Sequence, residues 1–422
     1  MPIIESLKGL EILDSRGRPT VGVTCRLRGG ASAWASVPSG ASTGSAEAVE
    51  LRDGDRNRFG GLGCRRAVGH VNQQINDAVR GKEFATQADL DRALIALDGS
   101  ANKSNLGANA ILAVSIAFAR AVANERCEPL LAYFASLIGQ KPATLPRLTM
   151  NLFSGGKHAG GQVPIQDVLI VPLAARTIDE SLATAYAVYQ SAARLCQAKY
   201  ASRPLVADEG GLAPPFPDCN AMIEDTISSI AAAGFTPGKD VAIAVDVASS
   251  HFYRDGKYFL GNEALDSRAM IARISDWLDR YPIISVEDGL AEEDWEHWPL
   301  LRDAIGKRAL VLGDDLLCTN PARIERAIAS SAANALLLKV NQIGTLTEAA
   351  QALTLARTAG WAVTISARSG ETEDDWLADL ACGWGGNQIK VGSITRSERL
   401  AKYNRLLAIE AQTGLPLARF RD

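Results

Sequence analysis

Residues 309–340 read ALVLGDDLLCTNPARIERAIASSAANALLLKV, and they contain one complete unit of a repeating pattern. The apolar run ALVLG ends on Asp314 and Asp315, the amphipathic stretch NPARIERAIASSA follows, and the apolar run ALLL then ends on Lys339. Short apolar runs bounded by polar residues are typical of buried strands, and apolar residues three and four positions apart are typical of helices. The segment therefore predicts a strand, a helix and a second strand.

The same pattern continues on both sides of this segment. Four further apolar runs lie there, namely VAIAVD at 241–246, PIISVED at 282–288, WAVTIS at 361–366 and NQIKVG at 387–392. The polar residues at or near their ends follow one another at steps of 41, 27, 25, 27 and 24 residues, in the order Asp246, Glu287, Asp314, Lys339, Ser366 and Lys390. Such steps match one strand, one loop and one helix, so the pattern predicts consecutive βα units.

Upstream of these units the alternation is less regular. The segments TLPRLTMNLFSGG (144–156) and VPIQDVLIVP (163–172) are both typical of strands, but only a tight connection separates them. We expect another strand at PLVADEGG (204–211). About eight strands with helices between them predict an α/β fold with a TIM-like (β/α)8 barrel whose start departs from strict alternation. The alternative is an open doubly wound sheet, which the lack of a GxGxxG motif after an early strand disfavours.

The first 140 residues follow a different pattern and predict a separate α+β domain. Helical patterns occupy 65–81 and 107–126, and the second is apolar almost all round, which is typical of a buried helix. The stretch from Gly139 to Pro142 is typical of a linker, so we expect an N-terminal domain at 1–140 and a barrel domain at 141–422. Three β segments precede the helices, at about 5–13, 19–27 and 31–37.

Composition and charge exclude several classes of partner. The chain has 47% hydrophobic and 22% charged residues, which is ordinary for a globular protein. Its net charge is −4 and no basic stripe stands out, so we expect no nucleic-acid partner. No apolar run reaches the length of a membrane span, so we expect no membrane partner either. Seven scattered cysteines without a CxxC pair, and an N-terminus without a secretory signal, favour reduced thiols in the cytoplasm.

Asp246, Glu287 and Asp314 are the first candidate functional residues. Each lies at the end of a predicted barrel strand, and the carboxyl ends of these strands form the mouth at which barrel enzymes carry their active sites. Three carboxylates at one mouth would repel each other, and a hard divalent cation such as Mg²⁺ would relieve that repulsion. The alternative is that each acid caps the following helix or pairs with a surface base.

Further charged residues lie at the same predicted mouth. Lys339 could act as a base with a lowered pKa, or could form a salt bridge with one of the carboxylates. Glu209 could be an acid on the opposite side of a substrate, or a turn carboxylate. Arg368 and Ser369 suit the recognition of a phosphate or carboxylate, and Lys390 adds positive charge, although an arginine in this position could also lie on a surface loop.

Two loops carry less specific signals. The small-residue loop VPSGASTGSAEA at 37–48 could be a lid that closes on an anion and expels water, or a mobile linker. His158 lies among glycines in SGGKHAGG and is one of only four histidines in the chain. A single histidine of this kind is more often structural than catalytic.

Ten motifs, in order along the chain, resemble the enolase family. The resemblance implies an N-terminal α+β domain, a barrel that opens ββαα, two Mg²⁺ ions, and a homodimer or an octamer that acts on a small phosphorylated carboxylate. The motifs are ILDSRGRPTV, GASTGSAEAVELRDGD, GANAILAVSIAFARA, ADEGGLAP, AVDVASSHFY, SVEDGLAEEDW, LGDDLLCTN, LLLKVNQIGTLTEA, ISARSGETEDDWLADLA and QIKVGSITRSERLAKYN.

The resemblance also implies roles for single residues. Lys339 matches the family's general base and Glu209 its general acid. The residues that match metal ligands are Asp246, Glu287 and Asp314 for the first ion and Ser42 of the lid loop for the second. The residues that match the substrate site are His158, Gln166, Asp167, Arg368, Ser369 and Lys390. The implied reaction is the reversible dehydration of 2-phosphoglycerate to phosphoenolpyruvate.

Several positions depart from the family pattern, and two of them lie in the implied site. The family's SHRSGE reads SARSGE, so Ala367 replaces a histidine, and IQE reads IQD, so Asp167 replaces a glutamate that pairs with the general acid. Elsewhere DSRGNP reads DSRGRP, with Arg18, and NGGxHA reads SGGKHA, with Ser154 and Lys157. The changes at Ala367 and Asp167 favour, as an alternative, an enolase-like lyase that acts on a related phospho- or phosphonocarboxylate. A non-catalytic role on the same fold is a third reading, but the implied base and metal carboxylates are all retained.

Overall fold

The N-terminal part of the chain folds into a three-stranded antiparallel sheet. In the computed structural model, which describes residues 1–41 and 44–420, the strands pair in sequence order. The strands are β1 (Ile4–Leu13), β2 (Pro19–Leu27) and β3 (Ser32–Ser36). The three strands predicted from the sequence are therefore confirmed to within one residue at each end.

Helices follow this sheet along the chain. They are α1 (Arg65–His70), α2 (Asn76–Val79), α3 (Gln87–Asp98), α4 (Ala108–Glu125) and α5 (Leu130–Leu137). Of these helices, α1, α2 and α4 contact the strands of the sheet. A π-helical turn at Val71–Ile75 joins α1 and α2 into one continuous helix. The helix α4 packs across β2 and β3 and is buried along almost its whole length, as its apolar sequence predicts.

Eight of the eleven remaining strands close into a barrel, in the order β4-β5-β6-β10-β11-β12-β13-β14. The predicted barrel fold is thereby confirmed. The other three strands, β7 to β9, form a small antiparallel sheet of their own. The bounds are β4 (Arg147–Ser154), β5 (Asp167–Pro172), β6 (Val241–Asp246), β7 (Tyr253–Arg254), β8 (Lys257–Leu260), β9 (Glu263–Leu265), β10 (Ile283–Glu287), β11 (Leu310–Gly313), β12 (Ala335–Leu338), β13 (Ala362–Ser366) and β14 (Gln388–Gly392).

Helices connect the barrel strands. Local sequence explains where the helix of the first quoted segment begins, because the Asn320 side chain accepts a hydrogen bond from the backbone N–H of Ala322 and Pro321 occupies the first helical position. The helices are α6 (Ile178–Tyr200), α7 (Cys219–Ala232), α8 (Ser267–Arg280), α9 (Trp298–Ile305), α10 (Pro321–Ser330), α11 (Val340–Ile343), α12 (Leu346–Thr358), α13 (Trp376–Gly383) and α14 (Ser397–Thr413).

The barrel begins irregularly, as the sequence predicts. Strand β5 runs antiparallel to both neighbours, and α6 and α7 follow before β6, which gives the ββαα start. The prediction of a strand at 204–211 is wrong. Because β5 and β6 pair directly from Asp167–Asp246 to Pro172–Val241, no strand fits between them, and the segment forms a loop across the mouth with a single bridge from Val206 to Leu212.

The N-terminal part is fixed to the barrel by buried polar contacts. Asp91 of α3 accepts hydrogen bonds from the backbone N–H and the hydroxyl of Thr347 at 2.9 and 2.6 Å, at the start of α12. Arg120 of α4 pairs with Asp374 at 2.6 Å. The loop after β3 has contacts of its own beside the barrel mouth. There the backbones of Ser39 and Gly370 exchange hydrogen bonds of 2.8 and 2.9 Å, and the N–H of Ala48 donates to the carbonyl of Gln342 at 2.8 Å. The domain boundary expected at residue 140 lies in the connection between α5 and β4 and stays a prediction.

Two global expectations also have structural counterparts. All seven cysteines lie within the described residues and none forms a disulfide bond. Among the helices that the structure describes, none has both the length and the apolar character needed to cross a membrane.

Candidate active site

A narrow cleft, with a cavity volume of only about 10 Å³, lies where the carboxyl ends of the barrel strands meet the loop after β3. Eight of the twelve residues predicted for the site line it directly. Three more do not line the cleft but contact residues that do: Asp167 binds His158, Glu287 binds Lys390 and Asp314 binds Lys339. Ser42 lies outside the described residues. The lining residues are Ala41, His158, Gln166, Glu209, Asp246, Lys339, Ser366, Ala367, Arg368, Ser369 and Lys390.

Lys390 binds two of the predicted metal carboxylates. Its ammonium lies 2.8 Å from Asp246 Oδ2 and 2.7 Å from Glu287 Oε2, and all three side chains are buried. Burial disfavours the charged amine, but Asp246 and Glu287 outweigh it and raise the pKa of Lys390 well above its usual value. The carboxyl ends of β6, β10 and β14 therefore meet at one point of the mouth, as the strand spacing predicts.

Lys339 forms the salt bridge that the sequence left open as an alternative. Its ammonium binds Asp314 Oδ2, and the side-chain amide of Gln342 donates to Asp314 Oδ1 at 2.8 Å. Burial is the largest single influence and opposes the charge of Lys339, but Asp314 together with Glu287 outweighs it and raises the pKa of Lys339. Of the two alternatives for Lys339, the structure therefore shows the salt bridge and a raised pKa, because the partner of its ammonium is an anion.

The carboxylates at the mouth fit a divalent cation. Glu287 Oε1 is buried and has no hydrogen-bond partner among the described residues. Burial and the neighbouring Asp246 raise the pKa of Glu287 well above its usual value. Two carboxylates this close repel each other, and a nearby positive charge would stabilise their ionised forms. The oxygens of the predicted set Asp246, Glu287 and Asp314 do not all lie within 4.8 Å of one another, whereas those of Asp288, Asp314 and Asp315 do. Carboxylate oxygens are the ligands that Mg²⁺ prefers, so this donor set suits it.

Glu209 lies on the loop that crosses the mouth between α6 and α7. Its carboxylate accepts a hydrogen bond of 3.0 Å from the side chain of Asn151, and its other oxygen lies 3.8 Å from His158 Nε2. Burial alone would raise the pKa of Glu209, but His158, followed by Arg399 and Lys390, lowers it to about 2. Glu209 is therefore ionised at neutral pH in this state, whereas an acid needs a proton.

His158 is held from its other side by Asp167. The imidazole Nδ1 donates to Asp167 Oδ2 at 2.9 Å, and the hydroxyl of Ser154 donates to Asp167 Oδ1 at 2.5 Å. Burial disfavours a charged imidazole, but Asp167 and then Glu209 outweigh it and raise the pKa of His158 to about 9. His158 is therefore an imidazolium at neutral pH and lies between two carboxylates.

Arg368 is buried with only 3% of its surface exposed, so the surface-loop alternative is wrong. Its guanidinium donates to both oxygens of Glu47 at 3.0 and 3.2 Å and to Asn341 Oδ1 at 3.0 Å. The neighbouring Ser369 hydroxyl accepts from Arg16 Nη1 at 3.2 Å. Two guanidinium groups therefore lie at this edge of the cleft, where they suit an anionic oxygen group.

Sequence reasoning missed several residues that orient the site. Glu47 holds Arg368, Asn151 holds Glu209, and Gln342 holds Asp314. Signals for them existed in part, because Glu47 lies within the quoted lid motif and Asn151 interrupts the apolar run of β4. No local signal marked Gln342, which lies on the short helix α11 directly after Lys339.

The fold and the cleft together define a class: a barrel enzyme whose mouth combines carboxylates, lysines and an arginine beneath an α+β domain. Comparison with known families then identifies the family. The model described as "Enolase, N-terminal domain" matches residues 4–134, and the model described as "Enolase, C-terminal TIM barrel domain" matches residues 142–418. The chain therefore belongs to the enolase family, which confirms the resemblance. Its function class is accordingly that of the enolase-superfamily lyases, which act on small molecules.

Proposed function

We propose that this protein catalyses the Mg²⁺-dependent, reversible dehydration of 2-phosphoglycerate to phosphoenolpyruvate. One observation carries the proposal: Lys339 and Glu209, a base and an acid of suitable type, line the same small cleft together with the cations Arg368 and Lys390. A substrate with a phosphate and a carboxylate would find cationic partners at two edges of this cleft. Its reacting carbons would then lie between the lysine and the glutamate.

The chain's residues divide the chemistry into two proton movements. Lys339 takes the proton from C2 in a first step, and the electron pair of that C–H bond is held on the substrate carboxylate. In a second step that pair forms the C2–C3 double bond. The bond from C3 to its hydroxyl breaks, and the departing hydroxide takes a proton from Glu209 and leaves as water. Lys339 accepts the C2 proton only as a neutral amine, so its ion pair with Asp314 has to open when Asp314 binds a cation.

Asp246, Glu287 and Asp314 would hold the first Mg²⁺ ion, and Ser42 would contribute to the second. Bound there, Mg²⁺ supplies positive charge that makes the proton beside the substrate carboxylate more acidic. Lys390 adds a further positive charge on the same side and orients the carboxylate. Arg368 and Ser369 bind the phosphate and thereby fix the position of C2 relative to Lys339.

The direct test is the absorbance of phosphoenolpyruvate formed from 2-phosphoglycerate, measured with and without Mg²⁺. We expect turnover that excess EDTA abolishes and that Mg²⁺ restores. Asp276→Asn on α8, whose side chain is about half exposed, is a suitable control for expression and folding. A correctly folded wild-type protein that forms no phosphoenolpyruvate at saturating Mg²⁺ would contradict the proposal.

A second candidate function is supported by two departures from the family pattern. Ala367 lines the cleft where the family carries a histidine, and Asp167 directs both oxygens to Ser154 and His158 rather than to Glu209. A related phospho- or phosphonocarboxylate with an additional substituent could use the space beside Ala367. Turnover of such a compound by a protein inert toward 2-phosphoglycerate would favour this alternative.

Assembly and location form a separate part of the proposal. The family resemblance favours a homodimer, or an octamer, and the seven unpaired cysteines favour the cytoplasm. Light scattering coupled to size-exclusion chromatography would measure the mass directly. A monomer at micromolar concentration would contradict the expected assembly without affecting the proposed chemistry.

A further inference from the structure

Ser154, Asp167 and His158 form a buried chain of hydrogen bonds that ends beside Glu209. The Ser154 hydroxyl donates to one oxygen of Asp167 at 2.5 Å, and His158 Nδ1 donates to the other at 2.9 Å. The free edge of the imidazole, Nε2, then lies 3.8 Å from Glu209 Oε1. All four side chains are buried, so bulk water does not screen these interactions.

This arrangement differs from a simple carboxylate pair. Both oxygens of Asp167 are used by Ser154 and His158, so Asp167 offers no hydrogen bond to Glu209. A glutamate at this position would extend its carboxylate further by one methylene group. Asp167 still lies close to Glu209, since one oxygen of each and a nitrogen of His158 fall within 4.8 Å of one another. Only His158 directs a hydrogen-bonding group toward Glu209 on this side, because the hydrogen bonds of Asp167 go to Ser154 and His158.

The charges around His158 favour the imidazolium form. Asp167 of β5, Glu209 of the crossing loop and Asp246 of β6 all favour its positive charge. His251 also faces it, but burial lowers the pKa of His251 to about 4, so His251 is neutral. Glu209 is in turn surrounded by positive charge and carries no proton of its own at neutral pH. The described cations that act on Glu209 are His158, Arg399, Lys390 and Lys339.

The geometry points to a proton supply for Glu209: we propose that His158, positioned by Asp167 and Ser154, delivers the proton that Glu209 passes to the departing hydroxide. The inference rests on the proposed dehydration and assigns positioning residues to it. The gap of 3.8 Å is longer than a hydrogen bond. Catalytic hydrogen bonds are often long before substrate is bound, and a movement of about 1 Å would close this one.

The proton balance is complete. The proton on His158 Nε2 moves to Glu209 Oε1 and then to the hydroxide that leaves C3, so water is released and His158 becomes a neutral imidazole. Lys339 meanwhile holds the proton taken from C2 and returns it to solvent after the product leaves. His158 regains a proton from solvent, which restores the starting state without any further reactant.

Asp167→Asn is the most informative variant, because it keeps the size of the side chain and removes its charge. We expect dehydration at pH 7 to fall by about 10²-fold, while exchange of the C2 proton with D₂O, which needs only Lys339, continues. The alkaline limit of turnover should also move. In the wild type it should lie near the pKa of His158, at about 9, and in the variant it should shift toward the ordinary histidine value of 6.5.

The sign of the stability change follows from the same shift. Since the folded state raises the pKa of His158 from 6.5 to about 9, protonation stabilises the fold fully below pH 6.5, and this stabilisation is lost as the pH rises toward 9. The Tm of the wild type should therefore fall between pH 6.5 and 9 by more than the Tm of Asp167→Asn. Imidazole NMR signals, assigned by their loss in His158→Gln, would measure the titration directly.

The chain offers a matched control in a second histidine–aspartate pair. His297 Nδ1 bonds Asp294 at 2.7 Å, with the same atoms as in the His158–Asp167 pair, but outside the residues that line the cleft. His297→Gln should leave turnover and its pH profile unchanged. Should Asp167→Asn fold poorly, Ser154→Ala removes one bond to Asp167 and should produce a smaller shift of the alkaline limit in the same direction.

The possible outcomes separate the two proposals. Suppose that the wild type turns over 2-phosphoglycerate but Asp167→Asn changes neither the alkaline limit nor the titration of His158. That result would overturn the proton-supply role alone, and normal dehydration by His158→Gln would do the same. A wild-type protein that catalyses neither C2 exchange nor dehydration of 2-phosphoglycerate would overturn the proposed function, and the proton-supply role with it. Retained exchange with lost dehydration and a shifted limit would support both.

Discussion

The two ends of the barrel interior are built from the same strands but have opposite character. On β12, Ala335 and Leu337 belong to an apolar cluster, and two positions later Lys339 lines the cleft. On β11, Leu310 and Leu312 belong to the same cluster, and two positions later Asp314 binds Lys339. Alternate residues of a strand point to the same face, so each strand changes from apolar to charged along one inward-facing row.

A second pair of strands repeats this change on another side of the barrel. Leu169 and Val171 of β5 and Ala244 of β6 form a small apolar cluster, which Phe420 contacts together with the first. The same rows continue to Asp167 and Asp246 at the mouth. The inward-facing rows are therefore apolar and densely packed at the end of the barrel away from the mouth. At the mouth they carry charges that would be costly to bury without partners. Substitutions at the two ends should therefore have separable effects.

Lys339→Ala should give the largest effect at the charged end. Without the amine, no group of the proposed mechanism takes the C2 proton, so exchange of that proton with D₂O should fall by about 10²–10⁴-fold. Glu209→Gln is the matched comparison, since it should retain exchange but fail to dehydrate. Loss of exchange in Glu209→Gln, with exchange retained in Lys339→Ala, would reverse the two roles.

Asp246→Asn should mainly weaken Mg²⁺ binding. The carboxylate is shared with Lys390 and accepts a hydrogen bond of 3.0 Å from Gln166, so its replacement removes a charge and a ligand oxygen together. We expect the Kd for Mg²⁺, measured by calorimetry, to rise by more than about 10-fold. Glu224→Ala, on the outer face of α7, should leave this Kd unchanged. Turnover that persists in excess EDTA would contradict the metal assignment.

Leu337→Ala tests the apolar end. The side chain is fully buried, so its truncation should lower the free energy of unfolding by about 2–5 kcal/mol. Turnover per folded molecule should change little, because Leu337 does not line the cleft. Leu97→Ala on α3, where the side chain is 40% exposed, should cost less than about 1 kcal/mol in urea unfolding. Loss of turnover without loss of stability in Leu337→Ala would break the separation between the two ends.

The sequence allowed the barrel and most of the charged end to be predicted because both depend on short-range patterns. A row such as Ala335, Leu337 and Lys339 can be read directly, since the period of a strand is two residues. The irregular start could also be read, since the tight connection between β4 and β5 excludes a crossover helix. The strand expected at 204–211 failed because its place depends on whether β5 and β6 pair directly, which no local pattern records.

The protonation states could not be predicted from the sequence for a similar reason. Whether Lys339 is an amine or an ammonium depends on its distance to Asp314, and whether Glu209 holds a proton depends on His158. These partners lie 25 and 51 residues away along the chain. The reading of His158 as more often structural missed its place between two carboxylates, which follows only from the folding of the glycine-rich turn between β4 and β5.

Ala367→His is the one substitution expected to raise turnover, and it would sharpen the question of substrate. Ala367 lines the cleft beside Arg368, so an imidazole there would enter the space that faces the substrate phosphate. If 2-phosphoglycerate is the substrate, kcat/KM should rise by up to about 10²-fold, since the new side chain restores the family's orienting contact. Ala367→Gln fills a similar volume without a titratable ring and should give no such gain. Asp167→Glu in the same protein should not add independently, because Ala367 lines the cleft and Asp167 acts on the same cleft through His158. A fall in kcat/KM for 2-phosphoglycerate in both residue-367 variants would instead mean that the space serves a substituent of another substrate.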